Sequence, residues 1–255
     1  MMSGRRLVAA VALAILAPLG LVACQTDPAV AAYVEDTEIS EERVTGVVNA
    51  LRASYEGELE DELASLAGFD DVDDAQLAEY RAEGREEIER HLTTARDRVL
   101  LFLVLTEVSV RFAEDEGFGF PEPDLAGIAE QTDLPEDHPY VEVVAEFNAV
   151  VGTVVQARAE PGEPTEADQR EVYENLRVEG AELDIAFEEV LEFLTPDVLA
   201  VPVGIRDLLV QMVEQVDVRV QPGYHLEYQV PVSVGPATSH LGVLISEPSS
   251  VQDAS

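Results

Sequence analysis

Any chemistry in this chain would have to come from one cysteine, four histidines and a large stock of carboxylates. Cys24 lies in APLGLVACQTD, where an apolar run gives way to polar residues. It has no partner for an internal disulfide, and that position suits neither a nucleophile nor a core residue. Of His91, His138, His225 and His240, no two stand at metal-ligand spacing, and there is no HExxH. His138, beside Pro139 at an expected helix start, reads as a cap or surface residue rather than a catalyst. No G-x-S-x-G elbow, P-loop or G-x-G-x-x-G appears. With 52 acids, pairs such as Glu-Glu arise by chance and carry no weight as acid–base dyads. FDDVDDAQ is acidic enough to suggest calcium, but counting from Asp71 puts Gln76 at the sixth position and Ala82 at the twelfth. An EF-hand needs glycine and glutamate there. The stretch reads as a solvated helix start. Catalytic residues, metal ligands and cofactor-binding residues are therefore not expected, and an enzymatic activity has no support in the sequence.

The cysteine makes sense as an address. The chain opens with the basic segment Met1 to Arg6 and runs from Leu7 to Ala23 without a charge. A basic start, an apolar stretch and small residues before a cut describe a secretory signal. A membrane-spanning helix would need roughly 20 apolar residues; this run is shorter and is broken by Pro18 and Gly20. Leu21, Val22, Ala23 and Cys24 resemble the bacterial lipobox, a large apolar residue, two small ones and a cysteine. That resemblance implies diacylation of the Cys24 sulfur and cleavage before it. Residues 1–23 are then a lipoprotein signal peptide and residues 24–29 a lipid-anchored tether. Each buried methylene contributes about 0.8 kcal/mol, so two or more acyl chains hold a domain on a membrane durably. The expected location is the outer face of the cytoplasmic membrane, with the membrane as a partner through acyl chains on Cys24. Without other cysteines, the exported part must rely on its own core, which a chain of this length can build.

The formal net charge is −37, and all 15 basic residues are arginine. Removing the signal takes Arg5 and Arg6 with it and makes the remainder more acidic still. Such a surface repels nucleic acid and anionic lipid headgroups, so neither is an expected partner. The acidity reads first as a well-hydrated face that resists aggregation.

Positioning falls mainly to helices. Val30 to Val34 and Glu38-Ile39 read as short extended pieces around a turn at Glu35 to Thr37. Ser40 then caps a helix with Glu41 and Glu42 in its first turn. Val44, Val47, Val48 and Leu51 give that helix an apolar face, and its periodicity continues to Gly68. A long helix is predicted from Ala75 to Glu116, with a break near Gly84 allowed. Its Val99 to Leu105 section is apolar on every side, as in a helix buried all round. Further helices are expected at 124–131, 139–157, 166–179, 181–194 and 203–216. The fourth turns Val143, Val144, Phe147, Val150, Val151 and Val154 inward, and Thr165 with Asp168 forms a capping box at the fifth. Val216, Val218 and Val220 alternate as in a half-buried strand, YHLEYQVPVSV reads as extended, and SEPSSVQDAS as a frayed tail.

This order of elements resembles a family. AAYVEDTEISEERVTGVVNAL is similar to the N-terminal region of the SurA/PrsA-type exported foldases, and Phe112 to Phe118 resembles the close of that family's long apolar helix. PTEADQREVYENL resembles the Thr-capped helix that precedes their parvulin domain. VDVRVQPGYH looks like the valine-rich strand and Asn-Pro-Arg-Tyr-Gly ending of related Gram-positive lipoproteins, with Pro222 and Tyr224 matching. The resemblance implies a mainly α fold: a multi-helix SurA N-terminal-like chaperone domain at 30–234, with a small β element pairing N- and C-terminal strands. Residues 235–255 are then a C-terminal extension, partly disordered. The stretch after PTEADQREVYENL is helical in pattern and about half as long as a parvulin domain, so prolyl isomerisation is not implied.

Two functions fit these expectations, with an enzyme or solute receptor as a third class that a deep pocket with convergent polar groups would revive. One is a chaperone- or foldase-like lipoprotein that binds unfolded or exported polypeptides without catalysis. The other is a structural or adaptor lipoprotein that docks one envelope partner. An exposed apolar groove would favour the first and a flat polar surface the second.

Overall fold

The computed structural model describes residues 27–69, 72–114, 117–179, 186–235 and 237–246. It is mainly helical, with small antiparallel sheets. Strand β1 (Val30–Val34) turns back into β2 (Thr37–Ser40), and Glu35 takes the positive φ of 54° that this reversal needs. β3 (Val218–Val220) pairs antiparallel with the other edge of β1, Ala32 opposite Val220 and Val34 opposite Val218. The sheet order is thus β2-β1-β3, so strands far apart in the sequence share one sheet. Ala31, Ala32 and Val34 of the central strand are buried.

The Ser40 hydroxyl accepts from the Arg43 amide at 3.1 Å and starts helix α1 (Glu41–Leu66). Val44, Val47 and Leu51 are buried, as the periodicity predicts, and Val48 is partly so. Helix α2 (Asp74–Ala113) opens with a reciprocal box between Asp73 and Gln76 and runs 40 residues, about 60 Å at 1.5 Å per residue. It passes Gly84 unbroken. The glycine marks a close approach instead: a Cβ there would stand 2.5 Å from Cδ1 of Leu59 on α1. Val99, Leu100, Leu101, Leu103, Val104 and Leu105 are all buried, packed among α1, β1 and the elements described next.

Helix α3 (Leu125–Thr132) ends at Asp133 in left-handed conformation, and α4 (Pro139–Arg158) lies along α2. Helix α5 (Glu166–Glu179) starts at the expected box: Asp168 accepts from the Thr165 amide at 2.6 Å and returns its own amide to the Thr165 hydroxyl at 3.3 Å. Where a helix was expected over 181–194, the described part holds one short helix, α6 (Phe187–Val190), and turns. Helix α7 (Pro196–Gln215) begins seven residues before the expected 203. Pro196 occupies the first turn, where it has no intrahelical N–H to lose, while Pro202 sits inside the helix rather than starting it.

Strands β4 (Leu226–Val234) and β5 (Ala237–Ser246) form a hairpin, with Val230 opposite Leu241 and Val232 opposite Ser239. The boundary expected at 235 falls in the turn of this hairpin, at Gly235 with φ of 60°. β5 buries Leu241, Val243 and Ile245 against the same core as β4, with α5 and α7 beside it, so the described part of the expected extension belongs to one body with the helices. A second, smaller cluster joins Leu51, Ile88 and Leu92 to Ile128 and Val141 where α3 and α4 meet the α1–α2 pair. Beyond it, Leu63 is the single buried residue among the described residues from 60 to 87, so the far halves of α1 and α2 form an exposed arm.

Candidate functional site

The lipobox residues Leu21, Val22, Ala23 and Cys24 lie outside the described residues, as does the tail after Ser246. No helix among the described residues is long and apolar enough to cross a membrane. Within the described residues no group of histidine, aspartate and glutamate could hold a metal ion. His138 caps α4: its Nδ1 accepts from the Tyr140 amide at 3.1 Å, and the side chain is buried. His225 lies 3.5 Å from Glu227, His91 meets Tyr55 edge to face, and His240 is on β5.

The middle of α2 offers more. His91, Thr94, Ala95, Arg98 and Leu101 recur at helical spacing and form a stripe on one side of α2. On one flank, Leu51 and Tyr55 from α1 and Tyr140 from α4 close a hollow of about 340 Å³ over His91, Thr94, Ala95 and Arg98. On the other, His225, Glu227 and Gln229 bound a hollow of about 230 Å³ over Thr94, Asp97, Arg98 and Leu101. Thr94 and Arg98 line both, so the two hollows meet at Arg98 and together make a groove along α2.

The groove is amphipathic. Leu51 supplies an apolar floor, and the Tyr55 and His91 rings stand 6.5 Å apart at 66° as one wall. Burial pushes the Tyr55 phenol up; Tyr140 and Glu58 add to this and Arg98 opposes it, which places those groups within electrostatic reach of the hydroxyl. Burial likewise raises the Asp97 carboxyl, against the His225 backbone hydrogen bond and the nearby Arg96 and His225 charges. Arg98 has no ion-pair partner among the described residues. The arginines at the other hollows do: Arg111 donates to Glu107 at 3.0 Å, and Arg43 lies 3.5 Å from Glu146.

Behind this groove the framework is tied by Glu41. It accepts from Arg96 at 2.6 Å and from the Tyr224 hydroxyl at 2.7 Å, while the guanidinium lies 4.1 Å over the Tyr224 ring. This clasp joins the start of α1, the middle of α2 and the segment after β3. A second tie holds α5 to α7, where Arg206 pairs with the buried carboxylate of Asp168.

Sequence reading had no reason to single out Tyr55, Arg98 or Tyr140. The one available signal was the 3–4 spacing from His91 to Leu101, which is also what a half-buried helix face produces. No family model, curated protein or solved structure matches the chain.

Proposed function

We propose that the chain is a lipid-anchored extracytoplasmic lipoprotein, cleaved before Cys24 and acylated on it, whose folded part binds unfolded or exported polypeptides without catalysis. In this reading the helical body is a SurA N-terminal-like chaperone domain. The pairing of β1 with β3 agrees with the strand arrangement which that resemblance implies. The observation that carries the binding role is the groove along α2, whose lining mixes apolar surface with polar groups, as segments of polypeptide require. The short tether would hold the groove near the outer face of the cytoplasmic membrane.

The test uses residues 25–255 titrated into a chemically unfolded model protein while light scattering reports aggregation. Suppression near stoichiometric ratio, persisting in moderate salt, is the expected result. No suppression by a chain that circular dichroism shows to be folded would remove the general chaperone reading. Acylation is checked separately, by incorporation of labelled palmitate that Cys24→Ser abolishes.

A second reading rests on the arm. Phe69 and Tyr80, 57% and 49% exposed, stand near its far end among acidic residues. Such a projection suits an adaptor docking one folded partner, and crosslinking from the arm to a single envelope protein would favour it.

A further inference from the structure

Fifty-two carboxylates are spread over this chain, yet the larger hollow has none in its lining. What it has instead are donors: the Arg98 guanidinium, the Tyr55 and Tyr140 hydroxyls, the Thr94 hydroxyl and the His91 ring. Neither tyrosine hydroxyl nor Arg98 has a hydrogen-bond partner among the described residues. An arginine beside a hollow in so acidic a molecule would ordinarily find a carboxylate, as Arg43 and Arg111 do. Arg98 is thus a cation left open at a concave surface, with donors grouped around it. The floor under those donors is apolar, formed by Leu51 and Ala95.

We infer that this hollow binds a carboxylate carried on an apolar body, with the carboxylate on Arg98 and the tyrosine hydroxyls and the body over Leu51 and Ala95. A planar guanidinium matches a carboxylate through two parallel hydrogen bonds. The volume of about 340 Å³ lies at the small end of ligand pockets, enough for one bulky side chain or a small aromatic acid. The molecule's overall negative field opposes anions, but charges beyond about 8–10 Å are largely screened at physiological salt. Glu58, a turn beyond Tyr55, and Asp97 and Glu227, in the adjoining hollow, are the nearby acids that set a limit on affinity. The apolar body is therefore required, because it adds burial that the charge pair alone does not supply.

That chemistry has two sources: a free organic acid, or the C-terminal residue of a polypeptide. The second rests on the polypeptide-binding function proposed above. Calorimetric titration of the full-length chain in phosphatidylcholine nanodiscs separates them. The probes are 3-phenylpropionate against 3-phenylpropanamide, and an N-acetylated pentapeptide ending in leucine against its C-terminal amide. At least one acid should bind ten times or more tighter than its amide, and Arg98→Met should abolish that preference. Arg98 is exposed, so the variant should fold, and its melting curve checks this. Amides that bind as well as acids, a preference that survives Arg98→Met, or no binding by either acid would each overturn the inference. Binding of 3-phenylpropionate without either peptide would keep the site and count against the polypeptide reading. Suppressed aggregation of unfolded protein with no acid preference would keep that reading and remove the site.

Discussion

Tyr224 is 3% exposed and gives its hydroxyl to a carboxylate that also holds Arg96, so one tyrosine ties the end of the sheet to two helices. A hydrogen bond to a charged group contributes about 1.5–3 kcal/mol, and phenylalanine keeps the ring packing and the guanidinium stacking. Tyr224→Phe is expected to lower stability by about 1.5 kcal/mol, read as a shift of the urea midpoint at unchanged slope. Burial pushes the Glu41 carboxyl up, but the bonds from Arg96 and Tyr224 outweigh it and leave the group below its ordinary 4.5. A carboxyl lowered in the folded state stabilises fully above its unfolded value and loses that contribution as pH falls through the folded one. Glu41→Gln should therefore be less stable than the parent at pH 6. The gap should close as the pH drops well below 4.5. A gap that is constant with pH would mean that Glu41 acts through packing alone. Of this cluster the sequence displayed only the ends: Glu41 as a first-turn acid, and Tyr224 as one of two positions matching a strand-ending motif. Arg96 lies 55 residues from Glu41, and nothing local in the chain announces the pair.

Helices were legible because each carries its own punctuation: Ser40, His138-Pro139 and the Thr165–Asp168 box all stand where the structure starts a helix. The failures came where punctuation is ambiguous. The helix expected from 203 starts instead at Pro196 and carries Pro202 inside it, and the break allowed near Gly84 is instead the point where α2 touches Leu59. Glycines in these helices consequently have opposite roles. Gly57 on α1 has nothing within 4 Å of an added Cβ, so Gly57→Ala should stabilise by about 0.5–1 kcal/mol through helix propensity. On α7, an added Cβ at Gly204 would collide with the backbone carbonyl of Glu160, in the loop whose Gly162 amide donates to Ala200 at 2.8 Å. Gly204→Ala is expected to destabilise by about 1–3 kcal/mol, as overpacking does. Thermal melts of the two variants should move in opposite directions.

At the scale of the whole molecule, the last described strand completes the core. The alternation in YHLEYQVPVSV showed β4, but its partner was hidden. β5 alternates as well, with Leu241, Val243 and Ile245 on its buried side, but Gly242 and Leu244 between them blur the apolar–polar contrast that marks a strand. Ending the chain at Gly235 would strip Leu241, Val243 and Ile245 from α5 and α7. Three such side chains contribute roughly 1.5–3 kcal/mol each, a sum comparable with the 5–15 kcal/mol that hold a typical domain together. The truncated chain should lose its cooperative melting transition by circular dichroism; a transition that survives would make the hairpin an accessory. The three-stranded sheet has a mechanical meaning as well. For a molecule held at Cys24, any tension from the bilayer enters through β1, the middle strand, bonded to β2 on one side and β3 on the other. A pull along that strand loads both ladders in shear at once rather than peeling one bond at a time. If the anchoring proposed above holds, the leash joins the body at a strand bonded on both edges, and it should part from the membrane before that strand is pulled free.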